Sequence, residues 1–204
     1  MIHEIRTYDI RVGTVAEYER RLVKALPFSE KYCPLGGFWR TDVGPLNQVV
    51  HIWPYDDLDQ RMAARTARFT DPYWPPDVDG MVLRQASEMG HPLSAMGDLK
   101  QGHLGNAYEL RYYSYAPKDI AEAITRWEEV LPYRENFGTL AGAWYIDVGE
   151  LDKIAILWAY ESFNQRDEQM KAVSKDSKYA SGTSHILLRR ENKLLVPADF
   201  SPMR

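Results

Sequence analysis

The chain has 204 residues, of which 45% are hydrophobic and 12% aromatic, so it is long enough and apolar enough to bury a substantial core. Its formal net charge is −4, with both signs scattered along the sequence, which argues against nucleic acid or an acidic membrane as a partner. No window approaches the roughly 18 apolar residues of a membrane span, the N-terminus lacks a leader pattern, and the single Cys33 excludes an internal disulfide; we therefore expect a cytoplasmic protein.

The first predicted elements are a strand and a helix. Polar and apolar residues alternate over 2–8, which is typical of a strand. An apolar stripe at helical spacing follows, and Thr14 and Glu17 have the spacing of a capping box at its start. Pro27 is expected to bend or end this helix.

A β-hairpin, a helix and a strand are predicted next. The hairpin strands cover 37–43 and 48–55 with a glycine-proline turn between them, and the second strand is apolar on both faces, which indicates burial on two sides. A second helix is expected to begin at Asp57, with Gln60 in capping-box position, and a last strand covers 81–88. The order is β-α-β-β-α-β, the ferredoxin-like arrangement.

The same order then repeats. Residues 3–92 align without a gap on residues 108–197 at an offset of 105, with about two dozen identities. Matched positions include Glu4 and Glu109, Arg6 and Arg111, Tyr8 and Tyr113, Trp39 and Trp144, Trp53 and Trp158, and Arg61 and Arg166. We predict one ferredoxin-like unit over 1–92, a linker over 93–106 and a second unit over 107–204.

This duplication predicts how the two units pack. Both helices of a ferredoxin-like unit cover one face of its sheet, so the other face needs a partner. Two units in one α+β chain can supply that partner to each other, with their sheets packed face to face or curled into a shared barrel. In that arrangement, inward residues would line a cavity between the halves.

The strand motif Arg6-Thr7-Tyr8 and the hairpin segment GGFWRTDVGPLNQVVHIWPYDDLDQR, residues 36–61, resemble the NIPSNAP family. The resemblance covers the first 90 residues well and the second copy more loosely. The resemblance implies tandem NIPSNAP units in a dimeric α+β barrel, here formed within one chain. It does not identify catalytic residues, because the family has no agreed ones. Fold relatives include cofactor-independent oxygenases, isomerases and haem-handling enzymes, an analogy that leaves open whether this chain is an enzyme.

Arg6 and Tyr8 share one face of the first strand, with Glu4 beside them. If this face lines a cavity, a guanidinium and a phenol suit a carboxylate or enolate ligand, because guanidinium binds such groups in bidentate fashion. The alternative is a structural Arg–Glu pair that holds the two sheets together.

His51 is the candidate catalytic residue. It shares a strand face with Trp53, and its counterpart in the second half is Ile156. A titratable side chain present in only one copy marks where a site could remain, so we interpret His51 as a general base. The alternative interpretation is a structural histidine whose hydrogen bonds are satisfied in the protein interior.

Four further residues complete the candidate ligand-binding set: Trp39, Trp53, Arg61 and Trp74. Arg61 is expected to tie its helix to the sheet or to an acidic partner, whereas Arg65 and Arg68 are interpreted as a solvated face. Trp74 lies with Tyr73 in the segment DPYWPPD, which suits either the mouth of a cavity or a contact with another chain.

The predicted function is to bind or convert a small polar or aromatic molecule in a barrel cavity of the first half, without a metal. The five histidines show no metal-binding spacing, and no nucleotide-binding motif is present. No cofactor is predicted, although a single axial histidine would suffice for haem. The alternative is a non-enzymatic protein-interaction module whose core is filled by its tryptophans. The sequence is also compatible with a homo-oligomer.

Overall fold

The computed structural model describes residues 1–176 and 182–204. The first half contains β1 (Ile2–Ile10), α1 (Val15–Ser29), β2 (Gly37–Val43), β3 (Gln48–Tyr55), α2 (Leu58–Phe69) and β4 (Val82–Pro92). The second half contains β5 (Ala107–Tyr115), α3 (Ile120–Arg134), β6 (Thr139–Val148), β7 (Lys153–Tyr160), α4 (Phe163–Lys175) and β8 (Leu187–Pro197). The β-α-β-β-α-β order therefore occurs in both halves, and the predicted bounds of the first hairpin agree with those of β2 and β3.

The strands form one closed barrel in the order β1-β3-β2-β8-β5-β7-β6-β4, so that β4 also pairs with β1. Each half contributes a four-stranded antiparallel sheet, and the halves join where β2 pairs with β8 and β4 pairs with β6. This arrangement confirms the predicted fold class, two ferredoxin-like units forming a dimeric α+β barrel within one chain. Barrel closure pairs the edge strands of both sheets, which would otherwise be exposed.

The two seams between the halves are equivalent under the internal repeat. At one seam Trp39–Val43 pairs with Leu194–Pro197, and at the other Trp144–Val148 pairs with Met89–Pro92. The predicted last strand, 81–88, was therefore too short. The residues that extend β4 to Pro92 find their hydrogen-bonding partner in the other half, which local alternation does not reveal.

Only half of the predicted helix caps form. The Gln60 N–H donates to Asp57 Oδ1 at 2.8 Å, and Ser162 caps α4 in the same way. The capping box predicted at Thr14 is wrong, because its hydroxyl makes no cap bond and the Glu17 carboxylate instead pairs with two arginines of its own helix. Asp119 and Glu122 have the same capping-box spacing at the start of α3, and there too the Asp119 side chain makes no cap bond.

Tryptophans pack the interior of the barrel. Trp39 and Trp144 are both fully buried, and the Trp144 indole N–H donates to Nδ1 of His3 at 2.8 Å. The Trp39 ring contacts Tyr108, whose position matches that of His3, with 5.4 Å between ring centroids. The two halves thus meet through equivalent aromatic pairs, and side chains rather than a central cavity occupy this level of the barrel.

Across residues 1–176 and 182–204, no helix is long and apolar enough to cross a membrane.

Candidate functional site

The predicted site residues on β1 and β3 face the helices. Arg6 and His51 are directly opposite each other in the antiparallel register of these strands, so their side chains share a face. Tyr8 and Trp53 lie on that face too and pack with residues of α1, whereas Ile5 packs with the barrel interior. The expectation that these residues line a cavity between the two halves is therefore wrong: their side chains lie under the helices of the first half.

Five of the seven predicted residues line one cavity. It has a volume of about 240 Å³ and lies between the outer face of the first sheet and helices α1 and α2. The predicted residues in its wall are Arg6, Tyr8, His51, Trp53 and Trp74. The other lining residues are Tyr18, Leu22, Arg65, Arg68, Phe69, Pro75, Pro76, Val78, Val82 and Gln85.

Trp39 and Arg61 do not line this cavity. Trp39 points into the barrel interior. Arg61 donates to the buried carboxylate of Glu4 at 2.6 Å, and Ser87 donates to the same oxygen at 2.6 Å. Burial acts to raise the pKa of Glu4, but these hydrogen bonds and the charge of Arg6 outweigh it and lower the pKa. Arg61 therefore ties α2 to β1, as the structural interpretation predicted.

Arg68 of α2 is a cavity residue that the sequence interpretation missed. The prediction that it faces solvent is wrong, because Arg68 is only 1% exposed. Its guanidinium carbon lies 5.2 Å from the ring centroid of Trp53 and 4.9 Å from that of Trp74, and it donates to Ser29 Oγ at 3.1 Å. Arg65, which is half-buried, lines the cavity beside it. The sequence did contain a signal for these two residues: Arg61, Arg65 and Arg68 are spaced so that they lie on one side of a helix.

The hydrogen bond between Trp53 and His51 fixes the chemistry of the imidazole. The indole N–H of Trp53 donates to His51 Nδ1 at 2.6 Å, and since an indole nitrogen can only donate, Nδ1 carries no hydrogen. The neutral ring therefore carries its proton on Nε2. Burial, and then the charges of Arg6 and Arg68, hold the pKa of His51 well below its usual 6.5. This geometry favours a neutral N–H donor over the predicted general base.

Four polar groups around the cavity have nitrogen atoms with no hydrogen-bond partner among the described residues. These atoms are Arg6 Nε, His51 Nε2, Arg65 Nη1 and Arg68 Nε. The nearest carboxylate to Arg6 is Glu4 at 3.6 Å, and Arg61 already holds it. No lining residue is acidic, and the described part of the chain contains no His, Cys, Asp and Glu cluster suited to a metal. The cavity therefore offers unpaired positive charge and hydrogen-bond donors.

Aromatic side chains form much of the remaining wall. The Tyr8 ring meets the His51 ring edge to face, with 4.8 Å between centroids, and Trp53 and Trp74 meet at 6.4 Å in the same manner. Trp74 is buried, whereas its neighbour Tyr73 is 64% exposed and stacks on a residue outside the cavity. Of the predicted aromatic loop, Trp74 contributes to the cavity and Tyr73 does not.

The second half lacks this polar set. Ile156 stands where the first half has His51, and Met170 and Val173 stand where it has Arg65 and Arg68. The remaining arginine, Arg111, is bound within the protein: its Nε lies 3.0 Å from Glu109, and it donates to a tyrosine hydroxyl at 3.3 Å. Buried arginine nitrogens without a hydrogen-bond partner among the described residues also occur in the second half, at Arg111 Nε and Arg134 Nη1, but the histidine and the two α2 arginines of the set are a property of the first half.

A larger cavity, of about 600 Å³, is lined by residues of both halves. Its buried ammonium group, Lys153, pairs with Glu88 and with Glu150, the latter at 3.0 Å. Tyr112 donates to Glu88 at 3.1 Å. These buried groups have partners within the protein, unlike those around His51.

Comparison with known proteins identifies the family. A family model described as NIPSNAP matches residues 3–95 and 108–202. Human Protein NipSnap homolog 3B is 26% identical, covering 99% of this chain and 85% of its own. A putative monooxygenase from Lactobacillus acidophilus superposes with a TM-score of 0.68 at 13% identity, covering 96% of this chain and 93% of that one.

An anthrone oxidase-like protein superposes with a TM-score of 0.70 at 8% identity, covering 98% of this chain and 93% of that one. At such identities these two structures show a shared fold and nothing about ligand or reaction. The family match spans both halves and agrees with the motifs in the first strand and hairpin. The chain therefore belongs to the NIPSNAP family, with one family unit in each half of its barrel.

Proposed function

We propose that this protein binds a small organic anion with a planar, apolar body in the cavity between the first sheet and helices α1 and α2. The observation that carries the proposal is the set of unpartnered nitrogens of Arg6, His51, Arg65 and Arg68 around a cavity without an acidic wall residue. Buried charges are normally paired, so an anionic ligand is the partner that these groups lack.

The aromatic side chains and the volume of the cavity indicate the shape and polarity of the ligand. Trp53, Trp74 and Tyr8 offer flat aromatic surfaces, and Arg68 already stacks on two of them. A volume of about 240 Å³ lies below the roughly 300–1,000 Å³ of pockets for drug-sized ligands, which favours a single-ring molecule. Guanidinium groups bind carboxylates in a planar, bidentate geometry, so an aromatic or arylalkyl carboxylate fits both features.

The proposal is one of binding, without a chemical step. Among the lining residues, His51 is the side chain that could act as a base, and its Nε2 carries the proton in the neutral ring. The alternative, a protein-interaction module with a filled core, receives support from the packed tryptophans of the barrel. Those tryptophans lie inside the barrel, however, and do not fill the cavity under the helices.

The test is a calorimetric titration with two single-ring carboxylates, 3-phenylpropionate and phenylpyruvate. We expect Arg65→Met, which copies the second half, to weaken binding of both by about tenfold or more, because it removes one cation from a water-poor site. Arg20→Met makes the same chemical change on the exposed side of α1 and should leave binding unchanged. Absence of binding to the wild type, or equal binding by Arg65→Met, would refute the proposal.

A further inference from the structure

We infer that the ligand carries an acceptor oxygen next to its carboxylate, as a 2-oxo acid does, and that His51 selects this oxygen as a hydrogen-bond donor held in place by Trp53. This inference rests on the proposed function and defines its ligand class more narrowly. His51 and Trp53 then have separate tasks: His51 contacts the ligand, and Trp53 is a positioning residue that acts through His51.

The His51 ring has little freedom to turn. It is 3% exposed, the Phe38 ring stacks against it at 5.7 Å between centroids, and the Tyr8 ring meets it at 4.8 Å. Its Nδ1 is held by the Trp53 indole at 2.6 Å, and a flip of the ring would break that bond. The packing thus fixes a ring that lines the cavity, and no described residue accepts the hydrogen on its buried Nε2.

Arg6 and His51 are placed to bind two neighbouring groups of one ligand. They are directly opposite each other on β1 and β3, and side chains at such positions are about 4.5–5.5 Å apart at Cβ. The Arg6 guanidinium lies over the Tyr8 ring at 5.1 Å, and the same ring contacts His51. A carboxylate bound by Arg6 therefore brings an adjacent carbonyl oxygen towards the Nε2–H of His51.

A ligand without that oxygen would leave the buried N–H unpaired. Sites built to hydrogen-bond a ligand group discriminate against analogues that lack it, since the buried donor then loses its water without gaining a partner. The second half shows that the sheet accommodates an aliphatic residue at this position, because Ile156 occupies it fully buried. His51→Ile thus removes the donor with a side chain that the sheet accommodates, and it also removes the acceptor of the Trp53 indole N–H.

The experiment compares two probes that differ mainly in this oxygen: phenylpyruvate has a 2-oxo group and 3-phenylpropionate does not. In calorimetric titrations at neutral pH, we expect the wild type to bind phenylpyruvate at least about tenfold more tightly. His51→Ile should bind the two probes equally, because the donor that distinguishes them is gone. Trp53→Phe should retain only part of the preference, because the ring loses the bond to Nδ1 and can change tautomer, which nitrogen-15 shifts of His51 in that variant would report.

The outcomes separate the two proposals. If the wild type binds both probes equally and Arg65→Met weakens both, the 2-oxo inference is wrong and the anion site stands. If His51→Ile keeps the preference, the inference is also wrong. If the wild type binds neither probe, both proposals fail. Nitrogen-15 shifts of the His51 ring in the wild type give a test that needs no variant: a proton on Nδ1 would overturn the inference.

Discussion

At the scale of single residues, both halves place a guanidinium over the same tryptophan position. Arg68 lies over Trp53 at 5.2 Å, and Arg134 lies over Trp158 at 4.6 Å. The tryptophans are equivalent under the repeat, but the arginines come from different helices, α2 in the first half and α3 in the second. The arginine–tryptophan contact is thus present in both halves, although the arginine occupies a different position in each. This indicates that cation–π stacking stabilises the packing of the helices on each sheet.

Because the arginine over the tryptophan comes from a different helix in each half, loss of one arginine should be compensated by placing another at the position used in the other half. Arg134→Ser, which copies Ser29, should lower the free energy of unfolding by about 1–3 kcal/mol because Trp158 loses its cation and packing partner. Adding Val173→Arg, which copies Arg68, should recover part of the loss. Urea unfolding of wild type, single and double variants measures both effects. A double variant less stable than the single one would show that the two arrangements are not interchangeable.

At the scale of elements, β2 and β6 each bend a tryptophan back over a glycine two residues earlier. A Cβ placed on Gly37 would lie 2.1 Å from the Trp39 ring, and one on Gly142 would lie 1.9 Å from the Trp144 ring. Both pairs share the inward face of their strand. The glycine and tryptophan that recur in the two copies are therefore one packing unit, and this explains two identities that the alignment alone could not interpret.

Gly37→Ala should therefore be destabilising by about 1–3 kcal/mol, the usual range for overpacking a core. The cause is the Trp39 ring, so the same substitution should matter less in a Trp39→Phe background. A double-mutant cycle in urea measures the coupling between the two positions. Additive effects would mean that Gly37 is needed for another reason.

The elements also show what the sequence could and could not predict. Strand bounds of the first hairpin were correct because a tight glycine turn and alternating residues are local signals. The face on which His51 lies was not predictable, since β3 is apolar on both sides and alternation cannot tell helix-facing from barrel-facing residues. Arg68 was missed for a related reason: an arginine covered by two tryptophan rings has the same sequence pattern as a solvated one.

At the scale of the whole molecule, one buried histidine links the halves and makes stability depend on pH. His3 of β1 accepts from the Trp144 indole of β6, and burial, with a smaller contribution from the N-terminal charge, lowers its pKa from 6.5 to about 4. The unfolded chain binds a proton near pH 6.5, whereas the folded protein resists protonation until about pH 4. His3 therefore does not reduce the free energy of unfolding above pH 6.5. It reduces that free energy progressively as the pH decreases towards 4.

We expect His3 to account for roughly 3 kcal/mol of this loss between neutral pH and pH 4. His3→Asn offers an acceptor to Trp144 without a titratable group, so its free energy of unfolding should depend less steeply on pH. Urea titrations of both proteins at pH 7 and pH 4 provide the measurement. An equal decrease in both would assign the acid sensitivity to other groups.

The first half by itself should form a homodimer. Residues 1–100 alone would expose the edge of β2 and the end of β4, which in the full chain pair with β8 and β6. A second copy offers equivalent edges, because the two seams are related by the repeat. Light scattering after size exclusion would distinguish the expected dimer from a monomer, and a stable folded monomer would contradict this account of barrel closure.

Closure of the barrel within one chain has a consequence for how its sites can change. In a barrel made of two identical subunits, every mutation alters both cavities at once, so any gain in one is tied to the same alteration in the other. Here Ile156, Met170 and Val173 line up with His51, Arg65 and Arg68 in a single gene, and each position can vary independently. New ligand specificity can therefore be engineered, or selected, in one half while the other retains the sequence that keeps the barrel folded.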